Sequence, residues 1–376
     1  MEQLAPFAQT SAHVESLRLE STGADEKRPL VSIIILNYNG ADLLPACLDS
    51  LTDLAYSPCE IIVVENGSTD NSLEVLRRYP SVKVVRTDKN LGSTGGYNFG
   101  LPHSQGEFVL MMNNDMIANR NFVGVLSRYL VQHPEVGIAQ GKMVLPRNKG
   151  TLEVCGSFLT RWGLPYHYGY YKPDGPKYQR NYPVFTGKGA CMMFRREVIE
   201  KAGGYYFNPD FFCYYEETDL CHRAWLAGYE VHFVSSPPIQ HLSGVTIARS
   251  EKTGFNLQYY LRNMMFSLLT NLEARSLLRI MPLYFTMFLA SMVVAALTGR
   301  WASAQSHWRA LAYNLCSLKR IRRQRQRMKI IRKKSDHEIF AKVLRNPRLE
   351  YFIKTFQGRL GEYEDEVGVA AEVTRL

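Results

Sequence analysis

The chain has 376 residues, 46% hydrophobic and 12% aromatic, which is enough to bury a large core and too apolar for a disordered protein. Its formal charge of +10 is local: residues 319–334 read KRIRRQRQRMKIIRKK, ten cations without an acid, a run suited to an anionic surface. Seven scattered cysteines (47, 59, 155, 191, 213, 221 and 316) with no C-x-x-C pair argue against a disulfide framework or a zinc site and suit a reducing compartment.

Residues 1–29 lack the cationic start and apolar core of a signal peptide and read as a flexible leader. From there to about residue 140, short β-branched apolar runs at 31–36, 60–64, 83–85 and 107–112 alternate with helical spacing at 41–51, 71–79, 94–101 and 121–132. That alternation predicts an α/β domain whose mostly parallel central sheet is flanked by helices. Ligands of such sheets bind at the carboxyl ends of the strands. The text there is polar each time: NYNG, ENGSTD, DKNLGSTGG and NND. Neither G-x-G-x-x-G after the first strand nor G-K-[ST] occurs, so a dinucleotide fold and a P-loop are both unsupported.

Residues 144–182 break into Gly, Pro, Tyr and Trp, as strands and long loops do. Then come TGKGACMMFRREVIEKAGG, FFCYYEETDLCHRAWLAGY and SSPPIQHLSGVT. Beyond residue 255 the chain turns helical and apolar, residues 280–299 carry no charge, and the text from 361 is an acidic tail expected to fray.

Each polar stretch has an ordinary structural reading beside the chemical one. NND is good turn material, and equally it places Asp115 to hold a divalent cation that also contacts phosphate. In VVENGSTDN, Glu65 and Asn66 could bond a nucleobase or ribose while Ser68, Thr69 or Asp70 caps the next helix. KNLGSTGG is either a glycine-rich turn or a helix start offering N–H groups to an anion. Glu216, Glu217 and Asp219 could simply complement a helix dipole, and Asp219 stands i,i+4 from Arg223, a spacing that favours an ion pair. On that reading Glu216 and Glu217 precede the helix and are freer to face the cleft. Lys188, Arg195 and Arg196 could meet a diphosphate or lie on solvated surface.

In their order, VSIIILNYNG, IIVVENGSTDNS, NLGSTGGYNFG, NND, GACMMFRREV and YYEETDLCHRAWLAGY resemble the successive motifs of the glycosyltransferase family 2 enzymes, over roughly residues 30–245. Bacterial rhamnosyltransferase-like members are the subgroup most similar, and the C-terminal helices look like theirs too. The resemblance implies a GT-A fold, a nucleotide-sugar donor (dTDP- or UDP-linked), Mg2+ or Mn2+, and inverting transfer to a glycan or lipid-linked acceptor in surface polysaccharide synthesis. Carried over, it sets Asn37, Tyr38, Asn39, Glu65, Asn66, Asn90, Gly92, Asn113 and Asn114 on the donor, and Asp115 with His241 on the metal. Gly189 and Ala190 then line the acceptor side, with Glu217 as base, Asp219 as positioning partner and next candidate, and Glu216 beside them. The sequence departs from the pattern in three places. Glu65 stands for the usual Asp, Asn113 for the first acid of D-x-D, and Glu217 for the usual Asp base.

The implied organisation is a leader (1–29), a catalytic domain (30–250, with a nucleotide half to 140), a helical basic region (251–360) and the acidic tail (361–376). A single span at 280–299 would place the basic run across the membrane from the catalytic domain, against the positive-inside tendency. The expectation is therefore peripheral attachment at the cytoplasmic face of the inner membrane, the basic run on anionic lipid, with a homo-oligomer left open. Two rival functions are a non-catalytic sugar- or lipid-binding member of a polysaccharide complex and a nucleic-acid binder. The second is disfavoured because 319–334 holds no aromatic residue for base stacking, so no nucleic acid is expected.

Overall fold

The computed structural model describes residues 28–242 and 255–365. The leader, the SGVT of residues 243–246, the expected boundary near residue 250 and the tail beyond 365 lie outside them. Eight strands form the main sheet in the order β11-β13-β6-β12-β4-β1-β2-β3. The parallel half is β1 (Val31–Asn37), β2 (Cys59–Glu65), β3 (Lys83–Arg86) and β4 (Phe108–Asn113). Crossing between them are α1 (Leu44–Thr52), α2 (Ser72–Leu76) and α3 (Gly92–Gly100). These strands are the apolar runs of the sequence, each extended by the polar residue at its tip. The strand residues Ile33, Ile34, Ile35, Leu110 and Met111 are buried because helices or strands cover both faces.

Register fixes the site. Asn37 pairs with Glu65, and Leu36 with both Val64 and Asn113, so three strand ends finish on one edge. After β4 come β5 (Met116–Ile117), α4 (Phe122–Gln132), β6 (Val136–Gln140) and β7 (Met143–Leu145). The irregular segment holds β8 (Thr151–Leu152), a hairpin of β9 (Ser157–Leu159) and β10 (Pro165–His167), and β11 (Tyr182–Pro183). β12 (Cys191–Arg195) then runs antiparallel between β4 and β6, making the sheet mixed. Next are α5 (Arg196–Lys201), α6 (Glu216–Leu226), β13 (Glu230–Phe233) and β14 (Ile239–His241). β14 pairs with β5 and β7 in a small second sheet that sets His241 opposite Met116.

Six helices follow: α7 (Phe255–Asn271), α8 (Ala274–Leu297), α9 (Trp301–Cys316), α10 (Leu318–Ile331), α11 (Asp336–Val343) and α12 (Leu349–Phe356). They continue the core of the sheet domain: Trp225, Leu226, Met264, Leu268, Ile280, Met328 and Phe340 belong to one hydrophobic cluster. α8 buries Ile280, Tyr284 and Phe288, one stripe at i,i+4, and leaves Leu278, Val293 and Leu297 exposed on its other side.

Two expectations are corrected here. The basic run is partly structural, since Arg325 and Arg332 donate to the carbonyls of Leu269 and Asn271, at the carboxyl end of α7 where cations are favoured. Residues 361–365 do not fray: buried Asp365 accepts from Tyr166 Oη (2.7 Å), Tyr178 Oη (2.8 Å) and the amide of Gly169 (2.8 Å).

Candidate active site

Along the carboxyl edge of the sheet, polar strand ends interlock. Asn37 Nδ2 donates to Glu65 Oε2 (2.8 Å), and its Oδ1 accepts from Asn114 Nδ2 (2.7 Å). Glu65 Oε1 accepts from the amide of Ser68 (2.8 Å). Asn66 Oδ1 accepts from the amide of Leu91 (3.0 Å), while its Nδ2 reaches Asn90 Oδ1 and the Gly92 carbonyl, both at 3.2 Å. Asn37, Glu65 and Asn66 are fully buried, so their polar atoms hold the loops of the wall. Tyr38 is 46% exposed at the mouth. Asn39, at φ +50°, ties its loop to the next strand end by accepting from the amide of Thr69 (2.8 Å). Gly92 begins α3 at φ +71°, and any side chain there would strike the Phe212 carbonyl.

The NND turn stands at the middle of the edge. Tyr97 Oη donates to the Met112 carbonyl (3.0 Å) and to Asn113 Oδ1 (3.3 Å). Asp115 Oδ1 is buried without a hydrogen-bond donor. His241 Nε2 lies 3.3 Å from it, too poorly aligned to bond, and Nδ1 of the same ring contacts Glu153 Oε2 at 2.6 Å. Burial alone would lower the imidazole pKa, but the two carboxylates raise it to about 9. An orphaned carboxylate oxygen facing an imidazole whose other nitrogen is anchored by an acid is the arrangement of a metal ligand pair with its supporting shell. A divalent cation therefore fits between Asp115 and His241. Among the described residues no group of three or more His, Cys, Asp or Glu could hold an ion, so a cation held by this pair would need most of its ligands from outside the protein.

Across the cleft, Tyr214 (φ +66°) and Tyr215 (φ +69°) are both left-handed immediately before α6. Two consecutive bulky residues in that region are strained. The acids that follow are sorted by their surroundings. All three lie inside the first turn of α6, so Glu216 and Glu217 do not precede the helix as expected. Glu216 is buried with Ser93 at the start of α3 donating to one oxygen, the other unpaired; burial first and Glu217 second push its carboxyl up to about 8. Asp219 is sealed away, 1% exposed, accepting from Arg223 Nε (2.8 Å), Ser267 Oγ (2.9 Å) and Asn271 Nδ2 (3.0 Å). Glu217 is the half-buried one, its carboxyl packed on Gly189, where a Cβ would sit 3.1 Å from the Glu217 carboxyl carbon. Burial raises its pKa, and Lys188 opposes the rise.

Lys188 joins the two sides. Its ammonium lies 3.7 Å from Glu153 Oε1, and Glu153 with Glu217 hold its pKa up against desolvation. Asp115, His241, Glu153, Lys188 and Glu217 thus form a row of alternating charge. Ala190 contributes backbone, its carbonyl accepting from the amide of Asn113 (2.9 Å). Arg195 and Arg196 are turned elsewhere, donating to the carbonyls of Val136 (2.9 Å) and Gly106 (2.6 Å).

Residues 32–203 match the family model described as glycosyl transferase family 2. That stretch, just under half of the chain, is similar to the family. The chain is 30% identical over 190 residues to the O-antigen biosynthesis protein RfbC of Myxococcus xanthus, covering 47% of this chain but only 14% of that protein. To an N-acetylglucosaminyl-diphospho-decaprenol L-rhamnosyltransferase of Mycobacterium tuberculosis it is 25% identical over 240 residues, 56% of this chain and 76% of the relative. The fold is GT-A. It matches the mannosyltransferase PcManGT from Pyrobaculum calidifontis, in complex with GDP-Man and Mn2+, at a TM-score of 0.50 and 18% identity, covering 81% of this chain and 85% of that one.

Several residues of the candidate site escape sequence reasoning. Glu153 stands in the irregular segment 144–182, where broken periodicity hides the one acid that contacts both His241 and Lys188. Asn263, Ser267 and Asn271 lie beyond the domain motifs, yet their i,i+4,i+8 spacing in an apolar helix is a readable polar stripe.

Proposed function

We propose that the protein is an inverting, metal-dependent glycosyltransferase that moves a sugar from a nucleotide-sugar donor to a glycan or lipid-linked acceptor of the cell envelope. The observation that carries the reading is the separation of roles along the alternating row: a half-buried carboxylate at one end, an orphaned carboxylate facing an imidazole at the other. In this reading the donor's base and ribose lie along the edge formed by Tyr38, Asn39, Asn113 and Asn114. Glu217 accepts the proton of the acceptor hydroxyl as that oxygen attacks the anomeric carbon and the nucleoside diphosphate departs from the opposite face. Its raised pKa makes it a stronger base than an exposed carboxylate. Lys188 and Gly189 fix its direction. Bound at Asp115 and His241, a divalent cation supplies charge neutralisation for the diphosphate. Similarity to the rhamnosyltransferase supports a deoxyhexose such as rhamnose, activated as a dTDP- or UDP-sugar.

The protein is further read as peripheral at the cytoplasmic face of the membrane. α8 is 24 residues long, enough to cross a bilayer; its most apolar 18-residue window has a mean hydropathy of 2.0, and only 28% of that window is buried. It is nevertheless clamped along one side, by packing on Gly163 and by α9 folding back with Phe288 against His307 (5.0 Å between ring centroids). Exposed Leu278, Val293, Leu297, Trp301 and Trp308, together with exposed Lys319, Arg322 and Arg323, support contact with the headgroup region.

The decisive experiment is turnover of a panel of dTDP-, UDP- and GDP-sugars, with Mn2+, with Mg2+ and with chelator. Metal-stimulated release of nucleoside diphosphate from at least one donor is expected. No turnover of any donor under any condition would sink the reading.

A further inference from the structure

The strain before α6 is held by the C-terminal helices. Tyr214 and Tyr215 occupy the left-handed region in succession, a conformation that bulky residues keep only when their surroundings impose it. One side chain of α7 supports it. Asn263, wholly buried, donates from Nδ2 to the carbonyls of Cys213 (2.9 Å) and Tyr214 (2.7 Å), the peptide units flanking the first strained residue. Its Oδ1 accepts from Arg262 Nε (2.9 Å), which fixes the orientation of the amide. Arg262 is itself locked, its guanidinium between the rings of Tyr259 (4.5 Å) and Tyr313 (4.3 Å) and donating to the Asp210 carbonyl (3.1 Å).

One and two turns further along the same face, Ser267 and Asn271 bond Asp219. α7 thus grips the acid-bearing segment twice, once on the backbone ahead of Glu216 and once on the first turn after Glu217. We infer that Asn263 is a positioning residue: by holding the left-handed Tyr214–Tyr215 turn it fixes the direction in which α6 begins, and so the place of the Glu217 carboxylate over Gly189. This inference rests on the glycosyl-transfer reading, in which Glu217 is the base. It goes beyond that reading by giving the helices outside the family motifs a part in the reaction.

The test uses the full chain and the donor with the highest turnover in the panel. Asn263→Leu keeps the volume apolar and removes both donors. A misplacement of the base by about 1 Å is expected to lower kcat about 100-fold, with the donor KM and the affinity for nucleoside diphosphate unchanged. Adding Tyr214→Gly, which adopts the left-handed conformation without strain, should recover at least about tenfold of that loss. A packing role for Asn263 would show no such rescue, because glycine at position 214 only deepens a packing defect. Kcat at the wild-type level in Asn263→Leu overturns the inference, as does a loss that Tyr214→Gly leaves unchanged. Should Asn263→Leu fail to fold, Asn263→Ser, which keeps one donor, is read by the same two criteria. Wild type active on a donor with Asn263→Leu equally active refutes the positioning role alone. Wild type inactive on every donor refutes the function, and this inference with it.

Discussion

The two sides of the cleft are built in different ways. The edge proposed for the donor is made of strand tips: Asn37 bonds Glu65 and Asn114, Asn66 bonds Asn90, and the Asn66 amide on the Asn37 carbonyl joins the two groups, so the loops are held from within. The edge proposed for the acceptor is a helix start in strained backbone, held from outside by α7 through bonds spanning some fifty residues of sequence. A parallel sheet needs no help to bring its tips together, because register does it. The direction of α6 has no such guarantee and needs a buttress. The contrast implies a donor site that tolerates change in the C-terminal helices and a base that does not.

The largest effect expected is at Glu217. Glu217→Gln should lower kcat by about 10^3-fold or more while nucleoside diphosphate binding, measured by calorimetry, stays near wild type. Near-normal turnover would move the base elsewhere and erase the distinction between the two edges. Next comes Asp219→Ala, which strands the buried Arg223 guanidinium and should cost about 3–5 kcal/mol in denaturant unfolding. If it costs less than about 1 kcal/mol, the buttress is not what holds the acceptor edge.

A smaller, pH-dependent effect belongs to Glu216. Its carboxyl is lifted from the ordinary range to about 8, so the stability it allows is present at low pH and lost as pH rises from about 4.5 through 8. Glu216→Gln, neutral throughout, should match wild type at pH 5 and melt roughly 5 °C higher at pH 9. A gap that is flat with pH would mean that Glu216 is ionised in the fold. The smallest effect is at the surface: reversing Lys319, Arg322 and Arg323 to Glu should weaken sedimentation with anionic vesicles, by about 1 kcal/mol per charge, and leave donor turnover in solution unchanged. Unchanged vesicle binding would remove the basic face from the attachment.

The donor edge was also the more legible in the sequence. Continuous β-branched runs ending in NYNG, ENGSTD and NND are a local signal, and the observed strands depart from the expected ones by a residue or so at the ends. The Asp219–Arg223 pair followed from helical spacing alone. Glu153 was invisible because its neighbours in TLEVCG carry neither a strand nor a helix period. The function of α7 was hidden by its composition: a mostly apolar helix before a charge-free stretch reads as membrane material, and three small polar residues spaced by four look incidental. The basic run misled for a related reason, since sequence counts charges without showing that Arg325 and Arg332 turn inward to a helix terminus. Long-range support is the part that composition and periodicity cannot express.

Asp365 closes a contact with residues far upstream in the chain. Two tyrosine hydroxyls and a backbone amide from residues 166–178 depend on this one carboxylate, close to two hundred positions downstream. The irregular segment containing Glu153 is therefore closed by a clasp that is synthesised after every strand of the sheets and after α7. A nascent chain stalled before it would carry complete strand tips and a complete α7, and still lack the acceptor that shuts the loops around them.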